Sequence, residues 1–67
     1  MKLSTRNQLA GKVTEVKLGG IMAEVVVDIG GQQIVAAITR DSAENLELVA
    51  GDNVTVLVKA TEVMLGK

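Results

Sequence analysis

Sixty-seven residues set the scale of one small domain, and the absence of Cys and His excludes disulfides, thiolate metal sites and the commonest acid–base side chain. A net charge of −1 and the lack of any Phe, Trp or Tyr exclude the basic groove and stacking platforms of a nucleic-acid binder, and no apolar run reaches the roughly 18 residues of a membrane span. Apolar residues make up 48% of the chain, 11 of them Val, which points to β-sheet with a core too small to stand without packing between copies.

The chain opens on a polar segment, Ser4-Thr5-Arg6-Asn7-Gln8. As a terminal arm it needs no explanation, yet Arg presents forked donors to oxyanions and Ser and Asn add neutral ones. No secretory signal precedes it, so the cytoplasm is the expected compartment. Residues 9–18 read as a long strand whose alternation slips, because Val13 and Val16 fall out of phase. A bulge near Gly11 or Thr14 would reconcile them. Gly19-Gly20 turns the chain into residues 22–29, where Ala23, Val25, Val27 and Ile29 share one face and Glu24 and Asp28 the other. Gly30-Gly31 is a type I′ hairpin signal, and residues 32–39 return with Ile34, Ala36 and Ile38 inward.

Residues 41–48 break the strand pattern. Asp41 with Glu44 three residues on fits a capping box, and Leu46, Leu48 and Val49 offer a short apolar face, so one or two helical turns are expected. The motif Thr39-Arg40-Asp41-Ser42 serves such a helix as its N-cap. A helix start also attracts anions, so Asp41 would cap while Thr39 and Ser42 face a ligand. Residues 50–53 form a turn, residues 53–59 a strand with Val54, Val56 and Val58 on one face, and residues 62–65 a short final strand. Lys59 closes a strand that is otherwise nearly all apolar. A solvated edge lysine is the ordinary reading; a charged donor beside the amides of Ala60 and Thr61 is the functional one. Three strands, a short helix and two more strands are the element order of an OB-fold, an all-β five-stranded Greek-key barrel.

The pairs Gly19-Gly20 and Gly30-Gly31, with Gly51, read as turns, since none opens a helix after a strand as a nucleotide loop does. The carboxylates are scattered, and no catalytic pair or relay can be drawn from them, so an enzyme is not expected. The candidate groups are hydroxyls, amides, one guanidinium and one ammonium. Donors alone suit a small anion rich in oxygen atoms.

Together the motifs resemble the molbindins, small molybdate-binding proteins built from a single Mop domain. Ser4-Thr5-Arg6-Asn7-Gln8-Leu9 is similar to that family's opening Ser-Ala/Gly-Arg-Asn-Gln/Lys-Leu, and Lys59-Ala60-Thr61-Glu62-Val63-Met64 to its closing Lys-Ala/Ser-Ser/Thr-x-Val-Met. Ile38-Thr39-Arg40-Asp41-Ser42 sits where the family carries Ser/Thr-x-x-Ser. Thr5 replaces the usual small residue, a change expected to matter little. The resemblance spans essentially the whole chain and implies a single Mop domain over residues 1–67 with an OB-like barrel. It also implies assembly as a hexamer, a trimer of dimers, with molybdate or tungstate held at subunit interfaces for intracellular storage, buffering or homeostasis. Ser4 and Arg6 would come from one subunit, and Thr39, Ser42, Lys59 and the backbone of Ala60 from a neighbour. The metal enters as its oxyanion, with no direct protein ligands. A second class of site near the threefold axis is implied as well, with Gly20, Ile21 and Thr61 as its candidates. The alternatives are an OB-type scaffolding oligomer and a nucleic-acid binder, neither with oxyanion cargo.

Overall fold

A computed structural model describes residues 2–67. Four strands form one antiparallel sheet: β1 (Asn7–Leu18), β2 (Met22–Asp28), β3 (Gln33–Thr39) and β4 (Asn53–Val58), in the order β3-β2-β1-β4. A short helix α1 (Arg40–Asn45) follows β3, and a single 3-10 turn (Ala60–Glu62) follows β4. The long strand β1 organises the sheet. Its first half, Asn7 to Lys12, pairs with β4, and its second half, Lys12 to Leu18, pairs with β2.

The change of partner coincides with a bulge. Val13 pairs with Val27 and Glu15 with Val26, so Thr14 is the extra residue, and its Oγ1 donates to the Val26 carbonyl at 3.2 Å. One inserted residue resets the period of two, which is why Val13 is buried and Val16, three positions on, also packs on the core. The bulge bends the sheet into a half-barrel. Close approach at the bend requires Gly11: a Cβ there would lie 2.5 Å from Val27 Cγ1 and 3.0 Å from the Asp28 carbonyl. The β2–β3 hairpin follows its sequence signal. Gly30 and Gly31 take φ of +91° and +94°, and the Gly31 amide donates to Asp28 Oδ1 at 2.8 Å.

The core is Val13, Val25 and Val27, bordered by Val16, Ile29, Ile34, Ala36, Ile38, Leu48, Val54 and Val56. The alternation read for residues 22–29, 32–39 and 53–59 therefore places the expected faces inward. A cleft of about 310 Å³ opens between β3 and β4, lined by Val25, Ala36, Ile38, Leu48, Val54 and Val56 among others.

Three expectations are corrected. The half-barrel has four strands, not five: a 3-10 turn at Ala60–Glu62 takes the place where the last strand was expected, and residues 63–65 pair with no strand. Val63, Met64 and Leu65 are 48%, 91% and 96% exposed. The N-cap of α1 is Thr39, not Asp41; its Oγ1 accepts from the Ser42 amide at 3.1 Å, while Glu44 turns to Arg40 instead of closing a capping box. Of the apolar face expected for the helix, only Leu48 reaches the core; Leu46 and Val49 are exposed, and Ala43 is the buried helical residue.

Candidate functional site

The first and last motifs meet in one chain. Asn7 pairs with Val58 at the end of the β1–β4 ladder, which brings Ser4 and Arg6 to the same end of the sheet as Lys59 and Ala60. Exposure alternates through the arm. Ser4 and Arg6 are exposed, whereas Thr5 and Asn7 are half-buried and both donate to the Val58 carbonyl at 3.0 Å. Gln8 Nε2 donates to the Thr5 carbonyl at 2.8 Å. Thr5 was expected to matter little; here its hydroxyl is bonded across the sheet edge. Lys59 opens the 3-10 turn, so the amides of Ala60 and Thr61 begin a helical turn and have no backbone acceptor among the described residues. Among the described residues neither Arg6 nor Lys59 is in an ion pair. An unpaired exposed cation is ordinary; two at one strand end, beside free amides and a hydroxyl, make a concentrated donor set.

Thr39 and Ser42 lie elsewhere. Thr39 pairs with Met22, and Leu18 with Ala23, so the hydroxyl pair sits at the far end of β1 from Arg6 and Lys59. The molecule measures 34 Å along its longest axis, and β1 runs 12 residues from one of these ends to the other. Thr39 Oγ1 donates to Ser42 Oγ at 2.7 Å. Two hydroxyls that share one hydrogen bond keep one O–H to offer outward. The backbone at this helix start offers little more: the Arg40 amide donates to the Ile21 carbonyl at 2.7 Å, and the Ser42 amide is held by Thr39. The anion site expected from the helix end thus keeps its hydroxyls and the amide of Asp41.

Gly20 and Ile21 form the β1–β2 turn at this second end, with Ile21 81% exposed, while Thr61 lies at the first. All nine candidates therefore fall at one of two opposite ends. Lys59 and Ala60 share an end with Ser4 and Arg6, not with Thr39 and Ser42.

Arg40 is engaged within the chain. Its Nε bonds Glu44 Oε1 at 2.6 Å and its Nη1 the Gly19 carbonyl at 3.0 Å, tying the β1–β2 turn to α1. Sequence reasoning missed this and the anchoring by Thr5 and Asn7. The Arg40–Glu44 spacing of four was a legible signal; the partners in Gly19 and Val58 were not, being set by the fold.

The main clefts do not enclose these groups. Hollows of about 310, 350 and 480 Å³ are lined by other residues, and the donors face outward. Among the described residues no cluster of three or more His, Cys, Asp or Glu could hold a bare metal ion, and no helix is long and apolar enough to cross a membrane.

Residues 3–65 match the TOBE domain. The chain is 46% identical over 66 residues to molybdenum-pterin-binding protein 3 of Clostridium pasteurianum, covering 97% of each. Its fold superposes on a molybdate-binding protein from Sporomusa ovata with a TM-score of 0.95 and 52% identity, each chain covered in full (100%). It is also similar to the cytoplasmic molybdate-binding protein ModG with molybdate bound, at a TM-score of 0.86 and 43% identity over 90% of this chain and 43% of that one. These relatives are named for what they bind, and the family is not one of enzymes. The half-barrel with its paired end motifs and the likeness along nearly the whole length lead to one assignment: the chain belongs to the TOBE domain family, among its small molybdenum-pterin-binding (Mop) proteins, the molbindins.

Proposed function

We propose that the protein binds molybdate, and tungstate equally well, at interfaces between copies of itself, as an intracellular store or buffer. One observation carries this reading. Two donor sets, Ser4, Arg6, Lys59 and the Ala60 amide on one side and Thr39 and Ser42 on the other, face outward at opposite ends of β1, and no single chain closes either of them. A dianion with four acceptor oxygens needs donors around it, and only a second copy brings the two ends together. The ModG and Sporomusa ovata relatives, described as molybdate-binding, support the choice of ion.

The name of the Clostridium pasteurianum relative includes a pterin. This chain favours the bare oxyanion. A pterin is a flat ring whose N–H groups need acceptors and whose faces need stacking partners, and there is no aromatic side chain here to stack on it.

Assembly is part of the proposal. Among the described residues the buried apolar ones are Val13, Ala23, Val25, Val27 and Ala43, whereas twelve large apolar side chains are exposed, including Leu57, Val63, Met64 and Leu65. A monomer would leave that surface in water, at about 25 cal/mol per Å². The proposed state is a hexamer, a trimer of dimers, with the Val63–Leu65 tail crossing an interface and Gly20, Ile21 and Thr61 near a second class of site. ModG is described as cytoplasmic, which supports that compartment. Calorimetric titration with molybdate, tungstate and sulfate tests the ligand. Molybdate and tungstate should bind alike and sulfate far more weakly, because the smaller ion fills the cavity less well. Absence of molybdate binding, or equal binding of sulfate, would refute the proposal.

A further inference from the structure

Arg6 has no strand to hold it. The β1–β4 ladder begins at Asn7, so the backbone at residue 6 lies before the first ladder pair. What fixes it is a pair of side chains on either side. Thr5 Oγ1 and Asn7 Nδ2 both donate to the Val58 carbonyl, each at 3.0 Å. That carbonyl belongs to the peptide unit leading into Lys59, so the two anchors of Arg6 and the orientation of Lys59 share one group. Gln8 Nε2 fixes the Thr5 carbonyl from the other side at 2.8 Å. Thr5 and Asn7 are half-buried; Ser4 and Arg6, which alternate with them, are exposed.

We infer that Thr5 and Asn7 are positioning residues for the oxyanion clamp: by converging on the Val58 carbonyl they hold Arg6 beside Lys59 before any ion arrives. This rests on the proposed oxyanion function and deepens it. A long, flexible guanidinium side chain loses freedom when it closes on a ligand, and a backbone already fixed at its root reduces what is lost. The small residue that the resembling motif carries at position 5 has no hydroxyl, so in this chain the second anchor comes from Thr5 itself.

The test uses the full-length protein and sodium molybdate. Thr5→Val keeps the side-chain shape and removes the donor. Calorimetric affinity should fall roughly threefold to tenfold, the worth of one ordinary hydrogen bond, and Thr5→Ser should restore it. The Asn7→Ala variant should behave like Thr5→Val. In an Arg6→Ala background, Thr5→Val should change affinity less than about twofold, because a residue acting through Arg6 has nothing left to position. A merely structural role would lower the ligand-free melting midpoint and reduce affinity equally in both backgrounds, and that result overturns the inference. So does unchanged affinity in Thr5→Val. Failure of the wild-type protein to bind molybdate would instead overturn the proposed function. A second measurement still decides the anchoring then: amide ¹⁵N relaxation of the ligand-free protein should show greater motion at Arg6 in Thr5→Val, and an unchanged order parameter would overturn it.

Discussion

Arg6 and Arg40 carry the same guanidinium in opposite circumstances. Arg40 is occupied by Glu44 and the Gly19 carbonyl, whereas Arg6 has no ion-pair partner among the described residues and stands at the same end of the sheet as Lys59. Arg6→Ala should therefore weaken molybdate binding by about 1.5–3 kcal/mol, the range for a charge-assisted hydrogen bond. Arg40→Ala removes a half-exposed ion pair worth about 0.2–1 kcal/mol to stability and should leave affinity nearly unchanged. Titration of both variants, with sedimentation to check assembly, separates them; equal losses would contradict the assignment. Lys59→Met keeps much of the aliphatic stem and removes the charge. Its ligand-free melting temperature should hold or rise, while the shift produced by molybdate, which grows with the logarithm of ligand concentration over Kd, should shrink. An undiminished shift would make Lys59 an ordinary surface residue. The identities of these donors were legible in the sequence, because hydroxyl, guanidinium and ammonium without a relay exclude most other chemistry. Their grouping was not: that Lys59 stands with Arg6, and Thr39 far from both, follows from strand pairing across more than forty residues of chain.

At the scale of elements, periodicity carried most of the information. Strands β2, β3 and β4 alternate cleanly and bury the faces their sequences indicate, and the phase slip between Val13 and Val16 called for a bulge near Gly11 or Thr14, which the register places at Thr14. The helix cap was harder. Asp41 and Thr39 are both good caps, and the choice fell to Thr39 because Arg40, bonded to the Ile21 carbonyl through its amide, already begins the helix. The final strand was misread because Val63, Met64 and Leu65 have strand-like composition, yet after the 3-10 turn they join neither edge of the sheet and stay exposed. Gly11 gives the sharpest test of the bend. Gly11→Ala places a methyl 2.5 Å from Val27 Cγ1, an overpacking that should cost about 1–3 kcal/mol. For a domain of this size each kcal/mol lowers the melting midpoint by roughly 4–8 °C. A thermal melt that does not move would mean that the sheet is less tightly curled at this point than the backbone indicates.

The whole molecule combines a small valine core with an unusually apolar exterior, and its donors lie at two ends that one chain cannot join. Both features are answered by other copies. Met64 and Leu65 are almost fully exposed, so Met64→Asp and Leu65→Asp should leave the fold intact by circular dichroism and lower the mass seen in sedimentation equilibrium; an unchanged mass would remove the tail from the interface. The central claim is that the oxyanion sits between copies. Native mass spectrometry of the protein with molybdate addresses it most directly. The expected result is a multi-subunit assembly, six chains on the proposed reading, that retains molybdate while any monomer fraction carries none. A folded monomer that binds molybdate as tightly as the assembly would contradict it.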